Sequence, residues 1–100
     1  MKRAKIFGLD VLVAENFAER AKGLIGRDSM PDGCGMLIPR CNAVHTFFMR
    51  FAIDVVFLDA DDRVVKTVRN VRPWTFFVWG GFSARKALEV QSGREYHFSI

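Results

Sequence analysis

Residues 53–71 contain the pattern that most restricts how this chain can fold. A run rich in β-branched and aromatic residues, Ile53 to Asp59, leads into the acidic sequence Asp59-Ala60-Asp61-Asp62-Arg63, and a second such run, Val64 to Val71, follows it. β-Branched side chains favour strands, and clustered aspartates favour turns. The segment is therefore predicted to form a β-hairpin.

The remaining strand-like runs are shorter. Residues 4–14 are predicted to form a single strand because Phe7, Leu9, Val11 and Val13 occupy alternate positions. The other predicted strands are residues 36–38, 45–51, 87–91 and 94–100.

One helix is predicted, and it begins at Asn16. Asparagine is a favoured N-cap residue, and Glu19 follows three positions later, as in a capping box. An apolar stripe at helical spacing comes next, and Gly26 can end the helix in the left-handed conformation. The helix is expected to be about three turns long.

Together these elements predict one domain over residues 1–100, of the mostly β (α+β) class. Sequential antiparallel strands with one helix in the N-terminal half indicate a small antiparallel β-sandwich or a partly closed barrel. The helix is expected to cover one opening or edge. Half of the 100 residues are apolar, which is typical of a globular chain.

No membrane span or secretion signal is expected. Asp10 interrupts the first apolar stretch, and no run approaches the roughly 20 apolar residues that a membrane helix needs. Cys34 and Cys41 are too few for a disulfide framework and are expected to be reduced. The expected location is the cytoplasm, without a membrane partner.

The formal charge of +4 at pH 7 suits an acidic partner. The basic residues are scattered, however, and those between residues 63 and 72 recur at every third position. In a strand they would fall on both faces and would not form one basic stripe. The basic residues at positions 2–5 are interpreted as a solvated terminus. Nucleic acid is therefore not the expected partner.

The sequence around residue 50 resembles a known family. Residues 45–59, HTFFMRFAIDVVFLD, are similar to the signature of the family called domain of unknown function 192, or uncharacterised protein family 0127. Three other segments also resemble it: residues 19–27, residues 35–38, and the Leu88-Glu89 pair followed by Gly93. The resemblance implies a compact β structure with one helix and assigns no biochemical role.

The signature contains the first candidate site. As a strand, residues 45–51 would have polar groups beside phenylalanines on both faces, which suggests the rim of an apolar cavity. His45, Thr46, Arg50 and Asp54 would line it, and Asp54 could orient His45 for general acid–base work. In the alternative interpretation these residues are structural: His45 bonds a backbone carbonyl, and Asp54 pairs with an arginine. The structural interpretation is favoured because no nucleophile lies at a recognisable spacing.

A soft metal site is the second candidate. Cys34, Cys41 and His45 supply ligand types that suit zinc or monovalent copper, and Met36 and Met49 lie nearby in the sequence. The spacing matches no established ligand pattern, and a fourth strong ligand is missing. No metal or other cofactor is therefore expected.

Arginines in or beside the motif segments form the third candidate. Two or three of Arg20, Arg27, Arg40 and Arg50 could converge on a carboxylate or phosphate, since guanidinium groups bind such anions with paired hydrogen bonds. Internal pairing with acids is the competing interpretation. Glu89 lies between apolar neighbours. If it points inward it needs a cation, and Arg20 is its predicted partner.

Residues 74–82 form an aromatic segment with two tryptophans and three phenylalanines, interrupted by Gly80-Gly81. Beside Arg72 and Arg85, such rings could stack on single-stranded nucleic acid or form a protein-binding patch. They could also close the end of a barrel, and burial as core or end cap is the favoured interpretation. The glycine pair is predicted to form a tight turn.

The sequence thus leads to one preferred function and two alternatives. The preferred function is a module that binds a small anionic or polar ligand in a pocket near His45 and Asp54. The first alternative is a small enzyme that uses these two residues as an acid–base pair. The second is a protein-interaction domain that uses residues 74–82, which requires Trp74 and Trp79 to be exposed.

Overall fold

A computed structural model describes residues 1–16, 18–19 and 24–94, and strands predominate in it. The mostly β class is therefore confirmed. The strands are, in chain order, β1 (Lys2–Ile6), β2 (Leu9–Val13), β3 (Cys34–Pro39), β4 (Ala43–Val44), β5 (Ile53–Leu58), β6 (Val64–Val71), β7 (Val78–Trp79) and β8 (Lys86–Gln91).

Six of these strands form one mixed sheet in the order β1-β2-β3-β8-β5-β6, and β4 pairs with β7 in a separate ladder. Neighbours in the large sheet are antiparallel except β2 and β3, which are parallel. Parallel neighbours need a crossover connection, and residues 14–33 provide it. The predicted antiparallel sandwich or barrel is thus corrected, within the described residues, to an open mixed sheet.

The prediction of a single strand over residues 4–14 was wrong, because these residues form the β1–β2 hairpin. Ile6 lies opposite Leu9, and the two residues between them, Phe7 and Gly8, have φ values of 52° and 77°. Positive φ at both central positions matches the twist of paired strands, and glycine adopts it without strain. The turn folds the chain back and places Arg3 opposite Leu12.

The hairpin predicted from residues 53–71 is confirmed as the antiparallel pair β5–β6. Its turn closes where the aspartates cluster, with the Asp59 N–H donating to the Arg63 carbonyl at 2.9 Å. The Asp59 carboxylate also accepts the N–H groups of Asp61 and Arg63. The aspartate side chain therefore replaces water as the partner of turn N–H groups.

The predicted helix falls largely on residues 17 and 20–23, which lie outside the described residues, as do residues 95–100 of the predicted last strand. The helix and that strand therefore remain predictions. The N-cap itself is present: Asn16 Oδ1 accepts the Glu19 N–H at 2.9 Å, and Glu19 Oε1 accepts the Glu15 N–H at 3.0 Å. The bond from the Glu15 N–H lowers the pKa of Glu19. Among the described residues no helix is long and apolar enough to cross a bilayer.

Both faces of the large sheet are covered, so every residue of β5 is buried. One face carries the larger core, whose buried members are Ala14, Leu24, Met30, Met36, Ile38, Cys41, Val44, Met49, Phe51, Ile53, Val55, Phe57, Val71, Val78, Ala84 and Ala87. The other face carries the smaller core of Leu9, Val11, Val56, Leu58, Leu88 and Val90.

Candidate functional site

Residues 45–51 form a loop, so the prediction of a strand there was wrong. The Met49 N–H donates to the Thr46 carbonyl at 3.2 Å, and Phe48 has a φ of 64°. This left-handed residue interrupts the extended backbone that the phenylalanine-rich composition of residues 45–51 predicts. Thr46 is buried, whereas Phe48 and Arg50, which would share its face in a strand, are exposed.

Thr46 joins this loop to residues 72–75. Its hydroxyl donates to the Arg72 carbonyl at 2.6 Å and accepts the Thr75 N–H at 2.8 Å. Its own N–H donates to the Thr75 carbonyl at 3.0 Å, and its carbonyl accepts the Trp74 N–H at 2.8 Å. Every polar atom of Thr46 therefore has a partner within the protein.

We expect Thr46→Val to lower the free energy of unfolding by about 2 kcal/mol, because it removes two hydrogen bonds and leaves the Thr75 N–H unpaired. Urea unfolding followed by tryptophan fluorescence measures this change. Thr67→Val, at an exposed threonine of β6, is the matched control. A loss for Thr46→Val no larger than the loss for this control would contradict the role of Thr46 as a clamp between the two segments.

Asp54 lies at a β-bulge between β5 and β6, where the register of the two strands shifts. Its Oδ1 accepts the Asn70 N–H at 2.8 Å and the Ser92 hydroxyl at 2.9 Å, and its Oδ2 lies 3.4 Å from Arg69 Nη1. The side chain is only 2% exposed. The carboxylate therefore stabilises the bulge and the turn after β8, and its partners include the arginine that the structural interpretation expected.

His45 is exposed and does not pair with Asp54. Its Nδ1 accepts the Phe47 N–H at 3.2 Å, so this bond is to a backbone N–H and not to the carbonyl that the structural interpretation expected. The Asp54 carboxylate is buried among other donors. These contacts do not form the acid–base pair that the enzyme alternative requires.

The described arginines of the predicted set lie in different surroundings. Arg50 donates to Asp28 at 2.8 Å in an exposed ion pair, and Arg40 donates to the Glu15 carbonyl at 2.8 Å. Arg27 lines a cavity on another part of the surface. The described members of the set therefore do not converge on one anion.

Glu89 points into the protein. On β8 it lies in register with Met36 of β3 and Val55 of β5, both fully buried, and it is itself 4% exposed. No hydrogen bond or ion pair joins its carboxyl group to any residue that the structure describes, and Arg20, its predicted partner, lies outside them. Desolvation raises the pKa of Glu89 to about 7.

The cysteines and His45 do not form a shared site. Cys41 is buried and its Sγ donates to the Ala43 carbonyl at 3.1 Å, whereas Cys34 is half-buried on β3. Within residues 1–16, 18–19 and 24–94, no three His, Cys, Asp or Glu side chains are placed to hold a metal ion.

The five aromatic rings of residues 74–82 are exposed, so the favoured interpretation of their burial was wrong. Trp74 is 60% exposed, Phe76 78% and Phe82 86%. Phe48 contributes a further exposed ring from the neighbouring loop. We call the six exposed rings the aromatic surface: Phe48, Trp74, Phe76, Phe77, Trp79 and Phe82.

Sequence reasoning did not place Arg3 beside Arg27, although both residues line one cavity. Arg3 belongs to the same lining, although it was interpreted as part of a solvated terminus. The signal that could have identified it is Gly8 after Phe7, because a turn there folds β1 onto β2.

Comparison with known proteins finds similarity along almost the whole chain. The family model DUF192, described as Uncharacterized ACR, matches residues 2–100. A UPF0127 protein of Thermococcus sibiricus is 34% identical over 95 residues, which cover 91% of this chain and 60% of that protein. A UPF0127 protein of Pyrococcus abyssi is 36% identical over 96 residues, which cover 83% of this chain and 80% of that protein. The chain thus spans less than two thirds of the Thermococcus protein.

A solved structure shares the fold. The crystal structure of a protein of unknown function from Novosphingobium aromaticivorans superposes with a TM-score of 0.77 at 24% sequence identity. The match covers 85% of this chain and 64% of that one. Like the sequence matches, it concerns a protein whose role is unassigned.

Proposed function

This chain belongs to the DUF192 family, and we propose that it is a protein-binding domain whose aromatic surface receives a segment of another protein. The segment would present apolar side chains next to carboxylates. The observation that carries the proposal is the exposure of six large aromatic side chains on residues 48 and 74–82. A pocket near His45 and Asp54 has less support, because Thr46 and Asp54 are buried and satisfied internally.

Contacts between the rings support this proposal. The ring centroids of Phe48 and Trp74 lie 4.7 Å apart, and those of Trp79 and Phe82 lie 4.8 Å apart. Rings that already contact one another lose less conformational entropy when a partner binds. Large aromatic side chains also supply much of the binding energy at protein interfaces, and exposed apolar patches mark such interfaces.

Backbone strain at two of the rings also supports it. Phe48 has a φ of 64° and Trp74 a φ of 67°. This left-handed conformation costs an L-residue about 1–2 kcal/mol, and bulky residues rarely adopt it. The hydrogen bonds around Thr46 hold both residues there. A strained pair of exposed aromatic residues is the kind of feature that clusters at binding sites.

The charge around the rings favours an acidic protein segment over single-stranded nucleic acid. Lys66 Nζ donates to the Trp79 carbonyl at 2.8 Å, and Arg85 Nη1 donates to the Phe82 carbonyl at 2.7 Å. These cations lie beside the aromatic surface, but both already bind backbone oxygens. A nucleic acid needs many cations for its phosphates, whereas a peptide with one or two carboxylates needs few.

We expect selection from a random-peptide phage library to enrich peptides that combine aromatic or aliphatic residues with Asp or Glu. The double variant Phe76→Ser/Phe82→Ser should bind the enriched peptides at least roughly tenfold more weakly, because it removes the two most exposed rings. Fluorescence anisotropy of synthesised peptides measures the Kd. Val65→Ser, which removes an exposed apolar side chain of β6, is the matched control and should bind like the parent chain.

Three results would overturn the proposal. Peptides that bind the double variant as tightly as the parent chain would place their site elsewhere. Binding of a single-stranded oligonucleotide that is lost in the same variant would assign the surface to nucleic acid. A concentration-dependent dimer that the same variant abolishes would assign the surface to a second copy of this chain.

We further propose that the protein acts in the cytoplasm. Neither Cys34 nor Cys41 is in a disulfide. Unbridged cysteines are typical of reducing compartments.

A further inference from the structure

We infer that this protein has a second site, built from other residues than the aromatic surface, that binds a small carboxylate with an apolar body. The site is a cavity of about 370 Å³ between strands β1–β3 and the part of the crossover described by residues 24–31. Pockets for small ligands usually have volumes of about 300–1,000 Å³.

The wall of the cavity is largely apolar and reaches the larger core. Leu24, Met30 and Met36 line it, and all three belong to the buried cluster on that face of the sheet. Leu12 of β2 completes this side. A hydrocarbon body placed there would be removed from water, which is favourable in proportion to the apolar area covered.

Two arginines bring positive charge to the lining of the cavity. Arg3 and Arg27 both line it, and no hydrogen bond or ion pair joins either side chain to any described residue. The carboxylate of the lining, Asp10, lies 3.7 Å from Lys5 Nζ and is not their counter-ion. Two arginines without a counter-ion among the described residues favour an anionic ligand, and the planar guanidinium group suits a carboxylate.

The fold holds both sides of this cavity in place. The β1–β2 hairpin places Arg3 opposite Leu12, and the parallel β2–β3 pair places Leu12 beside Met36. On the other side, the Met30 N–H donates to Gln91 Oε1 at 2.8 Å, and the Met30 carbonyl accepts a bond from Arg94. The loop before β3 is therefore fixed to the end of β8, which holds Met30 at the cavity wall.

The reactivity of Cys34 can report whether a ligand occupies the cavity, because this half-buried thiol also lines it. We expect saturating hexanoate to slow the alkylation of Cys34 by monobromobimane about fivefold or more, since the occupied cavity excludes the reagent. Peptide mass mapping assigns the product to Cys34 and separates it from Cys41. Hexanol at the same concentration should protect weakly, because it has the apolar body without the charge.

In the variant Arg3→Gln/Arg27→Gln, hexanoate should no longer slow the alkylation of Cys34. Without a ligand, the variant should react at the same rate as the parent chain. Arg63→Gln, at an exposed arginine in the β5–β6 turn, is the matched control and should keep the protection by hexanoate. Equal protection by hexanol, undiminished protection in the double variant, or equal protection by inorganic phosphate would each overturn the assignment. The readout does not involve the aromatic surface, so its failure would leave the proposed protein-binding function untouched.

Discussion

Replacement of Gly80 by alanine is expected to lower the free energy of unfolding by about 3 kcal/mol, the upper end of the usual cost of overpacking a core. A Cβ on Gly80 would lie 2.3 Å from Cδ1 and 2.5 Å from Cγ of Phe57. Phe57 is fully buried on β5, between β8 and β6, so its ring would have to move within a packed core. The Gly80 N–H donates to the Asn42 carbonyl at 2.7 Å, which fixes the backbone from the other side.

Urea unfolding of Gly80→Ala, Phe57→Leu and the double variant would test this contact. Phe57→Leu shortens the ring side chain that the new methyl group would meet, so the double variant should lose less stability than the two single variants together. Alanine at a glycine position without such a contact usually stabilises a protein slightly. A loss below about 0.5 kcal/mol for Gly80→Ala, or strict additivity in the cycle, would show that the chain relieves the contact at little cost.

The stability of this protein is expected to fall as the pH rises from 4.5 to 7, because of Glu89. The carboxyl group has an ordinary pKa of 4.5 when unfolded, and burial raises the pKa of Glu89 to about 7 in the folded protein. The folded state therefore holds the proton more tightly across this window. Below it both states are protonated, and above it both are ionised. The free energy of unfolding should therefore decrease by about 3 kcal/mol across the window and then level off.

Glu89→Gln should remove this pH dependence, because the amide does not ionise. We expect this variant to unfold at a higher urea concentration than the parent chain at pH 8 and at a similar one near pH 4.5. Glu15→Gln, at an exposed glutamate, is the matched control and should follow the parent profile. Parallel pH profiles for the parent chain and Glu89→Gln would contradict the assignment of the effect to Glu89.

The raised pKa also explains how a glutamate is tolerated between two core strands. Met36 and Val55, its neighbours in register, offer no hydrogen bond from their side chains. A neutral carboxyl group costs much less to bury than a carboxylate. Leu88 and Val90 on either side of it lie in the smaller core, as strand alternation requires when Glu89 faces the larger one.

Local patterns were sufficient where neighbouring residues decide the structure. The β5–β6 hairpin follows from two β-branched runs joined by aspartates, and the N-cap at Asn16 follows from one side chain and the Glu19 N–H. The same patterns misled at residues 4–14 and 45–51. In both segments a non-glycine residue with positive φ, Phe7 or Phe48, interrupts the extended backbone inside a run of strand-favouring residues.

In the candidate site, too, residue types identified the polar residues, whereas only the fold revealed their partners. Reasoning from residue types singled out Thr46, Asp54 and Glu89, and all three are buried polar residues. Their partners could not be read from spacing, because Thr46 binds residues 72–75 and Asp54 binds Asn70 and Ser92. The roles of these residues depend on segments that are distant in the sequence.

The sequence by itself determined the mostly β class, the central hairpin, the N-cap and the membership of the family whose signature spans residues 45–59. Only the tertiary structure decided that β8 lies between β3 and β5, that Arg3 reaches the cavity of Arg27, and that the aromatic rings of residues 74–82 face solvent. The physical reason is the sequence separation of the residues whose contacts decide each feature. Turns and caps depend on bonds between near neighbours, whereas exposure depends on which distant segments cover a side chain, and no segment described here covers the aromatic surface.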